Sequence, residues 1–235
     1  MKKKLLLGGV AFLVVVGLVV GGTLMLFSDV TEQAENVATF GYADIQLWED
    51  GGKIIRDGQE IDADYSGERH ILRDGEGIDF GDNIRPGDIL TKEPFIKNVG
   101  PVPVYLKAEV GFELWSGGAA LTAVEMYDLG FTFSELYAMV NWNISDWAFD
   151  GYTVGANNYK STWYYVDTGS ANNLKACPSA GQSTDIFTTV TIPLWLENNL
   201  NGYTLKITVK GFAVQSENNP YNALKADYAD AQFPA

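Results

Sequence analysis

His70 is the only histidine of this chain and Cys177 its only cysteine. The two side chains best suited to metal and nucleophilic chemistry therefore occur once each. A His-Glu-x-x-His zinc site needs two histidines on one helical face, which this chain cannot supply. A Ser-His-Asp triad would have to use His70, inside Gly67-Glu68-Arg69-His70-Ile71, a stretch that reads as hairpins. Cys177 stands in Lys175-Ala176-Cys177-Pro178 with nothing beside it to lower its pKa, so it reads as a tolerated loop or half-buried thiol. Glycine motifs that cradle phosphates are missing, since Gly8-Gly9 and Gly117-Gly118 stand alone.

Two richer clusters remain. Asp57, Glu60, Asp62, Asp64, Asp74, Glu76, Asp79 and Asp82 crowd one acidic stretch and invite calcium. The EF-hand spacing and the calcium-binding nonapeptide are both absent, so a solvated acidic loop is the better reading and no cofactor is assigned. Trp142, Trp147, Tyr152, Tyr159, Trp163, Tyr164 and Tyr165 could line a sugar-binding platform, although core and cross-strand packing is the more usual use of such residues. Paired carboxylates for glycoside hydrolysis stay open, because acidic residues are plentiful and sequence does not fix their separation. No catalytic, cofactor-binding or metal-ligating residue is assigned.

The elements that would position these groups are strands. Val104, Leu106, Ala108, Val110, Phe112 and Leu114 alternate with Lys107, Glu109 and Glu113, the two-residue period of a long strand with one buried side. Pro101 and Pro103 before it suit an edge or a strand start. Ile89 to Asn98, Tyr159 to Val166, Asp185 to Pro193 and Tyr203 to Gln215 read the same way. Arg85-Pro86-Gly87-Asp88 is a turn that launches the first of these. Val37 to Trp48 begins β structure near the start. Ile54-Ile55-Arg56-Asp57-Gly58 recurs as Ile71-Leu72-Arg73-Asp74-Gly75, two Asp-Gly hairpin signals that arise from a short repeat or from chance. Leu121 to Val140 loses the period, and Ser134 to Val140 reads as a short helix behind a Ser cap. Asn219-Pro220 opens a second short helix. Seven to nine strands with few helices give an all-β fold, an antiparallel β-sandwich of jelly-roll or Ig-like type with one or two short helices. Residues 27–235 form one such domain, with a hairpin insertion at about 50–80.

The N-terminus says where the domain goes. Lys2, Lys3 and Lys4 precede an uncharged apolar run from Leu5 to Phe27, the pattern of an export segment. At about 1.5 Å per residue the run also reaches across a hydrocarbon core of about 30 Å. It is either a signal peptide over residues 1–26 or a retained anchor, so residues 5–27 carry the only membrane contact. The lysines hold the N-terminus inside and send the rest across. Lys and Arg number 16 against 30 Asp and Glu, a net charge of −14, which excludes nucleic acid as a partner. At 46% hydrophobic and 13% aromatic the chain still buries a substantial core.

The order of these pieces resembles the TasA/CalY (camelysin) family of Gram-positive secreted proteins, processed by a SipW-type signal peptidase. The resemblance rests on the Lys-Lys-Lys-Leu start, Val20-Gly21-Gly22-Thr23 running into Phe27-Ser28-Asp29, and Ala38-Thr39-Phe40. Arg85-Pro86-Gly87-Asp88 and Lys97-Asn98-Val99-Gly100 carry it further. So do Asp150-Gly151-Tyr152, Thr184 to Val190 and the strand Leu205 to Gln215. It implies cleavage between Leu26 and Phe27, secretion to the extracellular matrix or cell surface, and assembly into biofilm-matrix fibres. Some members carry a metalloprotease label, which the residues here do not support.

A route to assembly can also be argued physically. Once the leader is removed, Phe27 to Phe40 is a free extended segment with apolar Phe27, Val30, Val37 and Phe40. An open sandwich edge in a neighbouring copy could take it as a donor strand, and a head-to-tail contact that does not close grows a filament. In the alternative, Val37 to Leu47 is the first strand of its own domain. The expected function is therefore an exported, non-enzymatic structural protein acting by self-association. A membrane-anchored carbohydrate- or surface-binding module and a secreted hydrolase are the other readings.

Overall fold

In a computed structural model of the chain, residues 28–30, 43–62, 70–71, 80, 84–167, 173–196, 202–217 and 233 are described. Twelve strands and two helices lie among them. The first five strands are β1 (Ser28–Val30), β2 (Ile45–Arg56), β3 (Gln59–Asp62), β4 (His70–Ile71) and β5 (Ile89–Asn98). They are followed by β6 (Val104–Ser116), β7 (Ala119–Ala120), α1 (Ala123–Asp128) and α2 (Phe133–Ala138). The last are β8 (Val140–Trp142), β9 (Trp147–Val154), β10 (Tyr159–Tyr165), β11 (Phe187–Thr191) and β12 (Tyr203–Gln215). One sheet runs β1-β12-β6-β10-β9 with β7 folded back on β6, and the other runs β3-β2-β5-β11-β8 with β4 beside β2. Every pairing is antiparallel. The all-β, sandwich-like fold expected from the alternation is the one observed, with two short helices.

The core forms where the alternating faces meet. On β6 every even position from Val104 to Phe112 is 0% exposed, and Leu106, Val110 and Phe112 join Ile45, Leu47, Leu90 and Ile96 of the other sheet in one cluster. β6 lies in the middle of its sheet, so Pro101 and Pro103 mark a strand start and not an edge. The aromatics fill the side near β8 and β9. Trp163 lies 4.4 Å from Trp142 in a stacked pair, and Phe187 meets Trp142 edge-on at 5.4 Å. Trp142, Trp147, Tyr159, Trp163, Tyr164 and Tyr165 are all buried. The sugar-platform reading therefore fails for six of the seven residues, because cross-strand packing has claimed their rings; Tyr152 alone is exposed.

Local signals explain the connections. Asp57 (φ 50°) and Gly58 (φ 75°) make the two-residue turn between β2 and β3, both in the left-handed region. Within residues 50–56 of β2, Asp50 and Gly51 pair β5, Lys53 and Arg56 pair β3, and Ile54 and Ile55 pair both. Of the second copy of the sequence repeat, only Ile71 lies among the described residues. Ile54 and Ile55 lie inside β2, whereas Ile71 ends the two-residue edge strand β4. Thr132, and not Ser134, caps α2, its Oγ1 accepting from Glu135 N at 3.2 Å. α1 falls in the stretch that loses the two-residue period, and a reciprocal capping box starts it. Glu125 N donates to Thr122 Oγ1, and Thr122 N donates to Glu125 Oε2. The helix expected from Asn219 lies outside the described residues.

Candidate assembly edge

Among the described residues, β12 is the long strand whose two sides are paired to different extents. Along its inner side it pairs β6 over its whole length, from Tyr203 opposite Ser116 to Gln215 opposite Val104. Along its outer side β1 pairs only the far end, with Ser28, Asp29 and Val30 opposite Val214, Ala213 and Phe212. Among the described residues no second strand lies beside Tyr203–Val209. The side chains report the same asymmetry. Leu205, Ile207 and Val209 point toward the core but are only partly buried, while their partners Leu114, Phe112 and Val110 are 0 or 1% exposed. A stretch with no described strand beside it, above a partly buried apolar strip, is what an added strand would complete.

The outward face of this sheet is basic and aromatic. Lys206 Nζ lies 3.6 Å from the Trp115 ring centroid and Lys107 Nζ 3.9 Å from that of Phe212. Glu109 sits between Lys107 at 3.6 Å and Lys160 at 2.9 Å. Burial pushes the Lys107 ammonium below its usual pKa, with Lys160 and Lys210 adding repulsion and Glu109 opposing both. Below them Tyr105, Tyr164, Val166, Leu174 and Val214 form a second small core, covered by Phe233 at 5.5 Å from Tyr164.

The opposite edge, β9, is finished differently. Phe149, Tyr152 and Val154 are 42, 52 and 58% exposed. Tyr152 stacks on Phe133 of α2 at 3.9 Å and 5°, and Phe149 packs on Phe133, Tyr137 and Trp163. The helix thus covers the aromatic face of this edge strand.

Of the residues expected to drive assembly, Val30 lies in β1, while Leu26, Phe27, Val37 and Phe40 fall outside the described residues. The strand expected over Val37–Leu47 is seen from Ile45 onward as β2, the residues before Ala43 being outside the described set. Nothing in the sequence marked β12 as the strand with a half-open flank. Its alternation was legible, but its place next to the sheet edge depends on which strand it pairs with.

The groups singled out for chemistry are spread apart. Cys177 is 0% exposed and burial pushes its thiol up to about 11, leaving no thiolate at neutral pH. His70 contributes backbone pairing opposite Glu49. Of the acidic stretch, Glu60 pairs with Lys53 at 2.7 Å on the edge hairpin, while Asp64, Asp74, Glu76, Asp79 and Asp82 lie outside the described residues. Among the described residues no three His, Cys, Asp or Glu side chains converge as metal ligands, and no helix is long and apolar enough to cross a membrane. No family model, curated protein or solved structure matches the chain.

Proposed function

We propose that this protein is an exported structural component of a cell surface or biofilm matrix that joins copies of itself into fibres. Its N-terminal segment would serve as the donor strand for β12 of the next copy. The observation that carries this reading is the outer flank of β12, which takes the chain's own N-terminal strand along Phe212–Val214 and has no described strand beside Tyr203–Val209. Main-chain pairing would supply the affinity, and cover for Leu205, Ile207 and Val209 the fit. Because donor and acceptor sites are different surfaces, the contact repeats without closing. A SipW-type signal peptidase and the export machinery are the partners the leader calls for, and the TasA/CalY resemblance points the same way. The assignment is non-enzymatic, with no cofactor.

The test removes residues 27–36 from the purified mature protein and looks for fibres by electron microscopy. Loss of fibres from a folded monomer is the expected result; unchanged fibres refute the donor-strand role. The exposed Phe149 and Tyr152 on β9 favour, as a second reading, a membrane-anchored module that binds carbohydrate or another surface. N-terminal sequencing separates the two, since the anchored form keeps residues 1–26 in the membrane fraction.

A further inference from the structure

One charge pair sits where its neighbours are aliphatic. Ile45, Leu47 and Glu49 share the inward face of β2, as Leu90, Lys92 and Ile96 share that of β5. Glu49 is 0% exposed and Lys92 8%, and Lys92 Nζ donates to Glu49 Oε1 inside the core. The second carboxylate oxygen, Oε2, is buried with no hydrogen-bond partner among the described residues. The backbone is shaped for this contact. Gly51 lies opposite Lys92, and the register slips between Gly51 and Ile54, with Gly51 and Gly52 at φ 114° and 90°. A Cβ on Gly51 would stand 2.5 Å from the Thr91 carbonyl oxygen, so glycine is what lets β2 lie against β5 here.

Desolvating two full charges is expensive, and a carboxylate oxygen without a donor adds to the expense. Joining the groups removes both charges at once. We propose that Glu49 and Lys92 condense into a side-chain amide that cross-links β2 to β5. One proton passes from Lys92 Nζ to Glu49 along their hydrogen bond, leaving an amine against a carboxylic acid. The Nζ lone pair attacks Cδ and the Nζ–Cδ bond forms. A second proton moves from nitrogen to the departing oxygen, a Cδ–O bond breaks, and one water leaves. No electrons are gained or lost and no co-reactant is consumed. The core supplies proximity and excludes the water that would favour the reverse step. In a chain whose single cysteine allows no internal disulfide, the amide would restrain two neighbouring strands covalently.

Intact-mass spectrometry of the folded protein, with its N-terminus established by sequencing, tests this. The expected mass is one water below the sequence mass, and digestion should return a branched peptide joining the Glu49 and Lys92 segments. K92R keeps a cation for Glu49 but offers no primary amine, so it should restore the full mass while retaining the β-sheet circular dichroism. A folded wild-type protein at full sequence mass overturns the proposal, as does a mass deficit that persists in K92R.

Discussion

Ile207→Asp distinguishes a β12 flank that is merely exposed from one built to accept a strand. In the monomer the substitution removes the partial burial of one aliphatic side chain. At about 25 cal/mol per Å² that is roughly 1–2 kcal/mol, and the new carboxylate can turn to water at the open flank. In a fibre the balance changes. A strand added along Tyr203–Val209 would exchange hydrogen bonds with alternate residues, each bond contributing about 0.5–1.5 kcal/mol net. It would also cover the exposed remainder of Leu205, Ile207 and Val209. An aspartate at the middle of that strip would be desolvated with no cation facing it, a penalty of about 3 kcal/mol. The critical concentration for assembly should then rise roughly a hundredfold. Sedimentation of the polymer over a concentration series reads this, with circular dichroism confirming that the variant is folded. Thr204→Asp is the control, because Thr204 is exposed on the outward face of the same strand. I207D fibres at the wild-type critical concentration would refute the reasoning, and so would an equal effect of T204D.

Other perturbations have outcomes fixed by single sites. Burial raises the Asp88 carboxyl, but the Arg56 guanidinium at 2.6 and 2.8 Å and the Arg85 backbone N–H outweigh it and hold the pKa below the ordinary value. Its folded value is thus the lower one, so this stabilisation is complete above the unfolded carboxylate pKa near ~4 and is lost as pH falls through the folded value. Asp88→Asn should lower stability at neutral pH by about 2 kcal/mol and flatten the acid limb of a urea-unfolding series. The Cys177 thiol, pushed up to about 11, should resist thiol reagents at neutral pH until urea exposes it; labelling as fast in the native protein would contradict its burial. Trp163→Ala, at a position 0% exposed, should cost about 3–5 kcal/mol, read as a lowered Tm. Added monovalent salt should speed fibre formation, since mature copies, which lack Lys2, Lys3 and Lys4 and so carry a net charge of −17, repel one another and the Debye length falls to about 8 Å at ~0.15 M.

How much of this was legible depended on how local the signal was. β5 and β12 were expected over the residues they occupy, because alternation and flanking turns are properties of neighbouring residues. The Asp57-Gly58 hairpin was legible for the same reason. Capping α2 at Ser134 instead of Thr132 was an error of two positions, because both hydroxyls suit a cap and the register of the first turn decided between them. The seven aromatics could not be assigned to surface or core from spacing alone. Tyr152 and Trp163 share the inner face of their sheet, yet Tyr152 on the edge strand β9 is 52% exposed and Trp163 on β10 is 0% exposed. The Glu49–Lys92 pair and the open flank of β12 were invisible for a deeper reason. Both depend on which strands lie side by side, and strand order belongs to the whole chain.

That order also singles out one edge from four. Short, charged or covered edges resist strand addition, and long flat ones invite it. β3 and β4 are four and two residues long, and β3 carries Glu60 and Asp62. β8 has three residues beside α2. β9 is longer, but its pairing with β10 slips between Thr162 and Trp163, and Phe133 stacks over its aromatic side chains. β12 has thirteen residues paired in continuous register with β6, and its inward Leu205, Ile207 and Val209 are only partly buried. It is also the strand the N-terminal segment already touches, at Phe212–Val214. A segment that pairs there within its own chain can pair there in a neighbour with the same hydrogen bonds, so exchange leaves those contacts unchanged and any strand gained along Tyr203–Val209 favours the polymer.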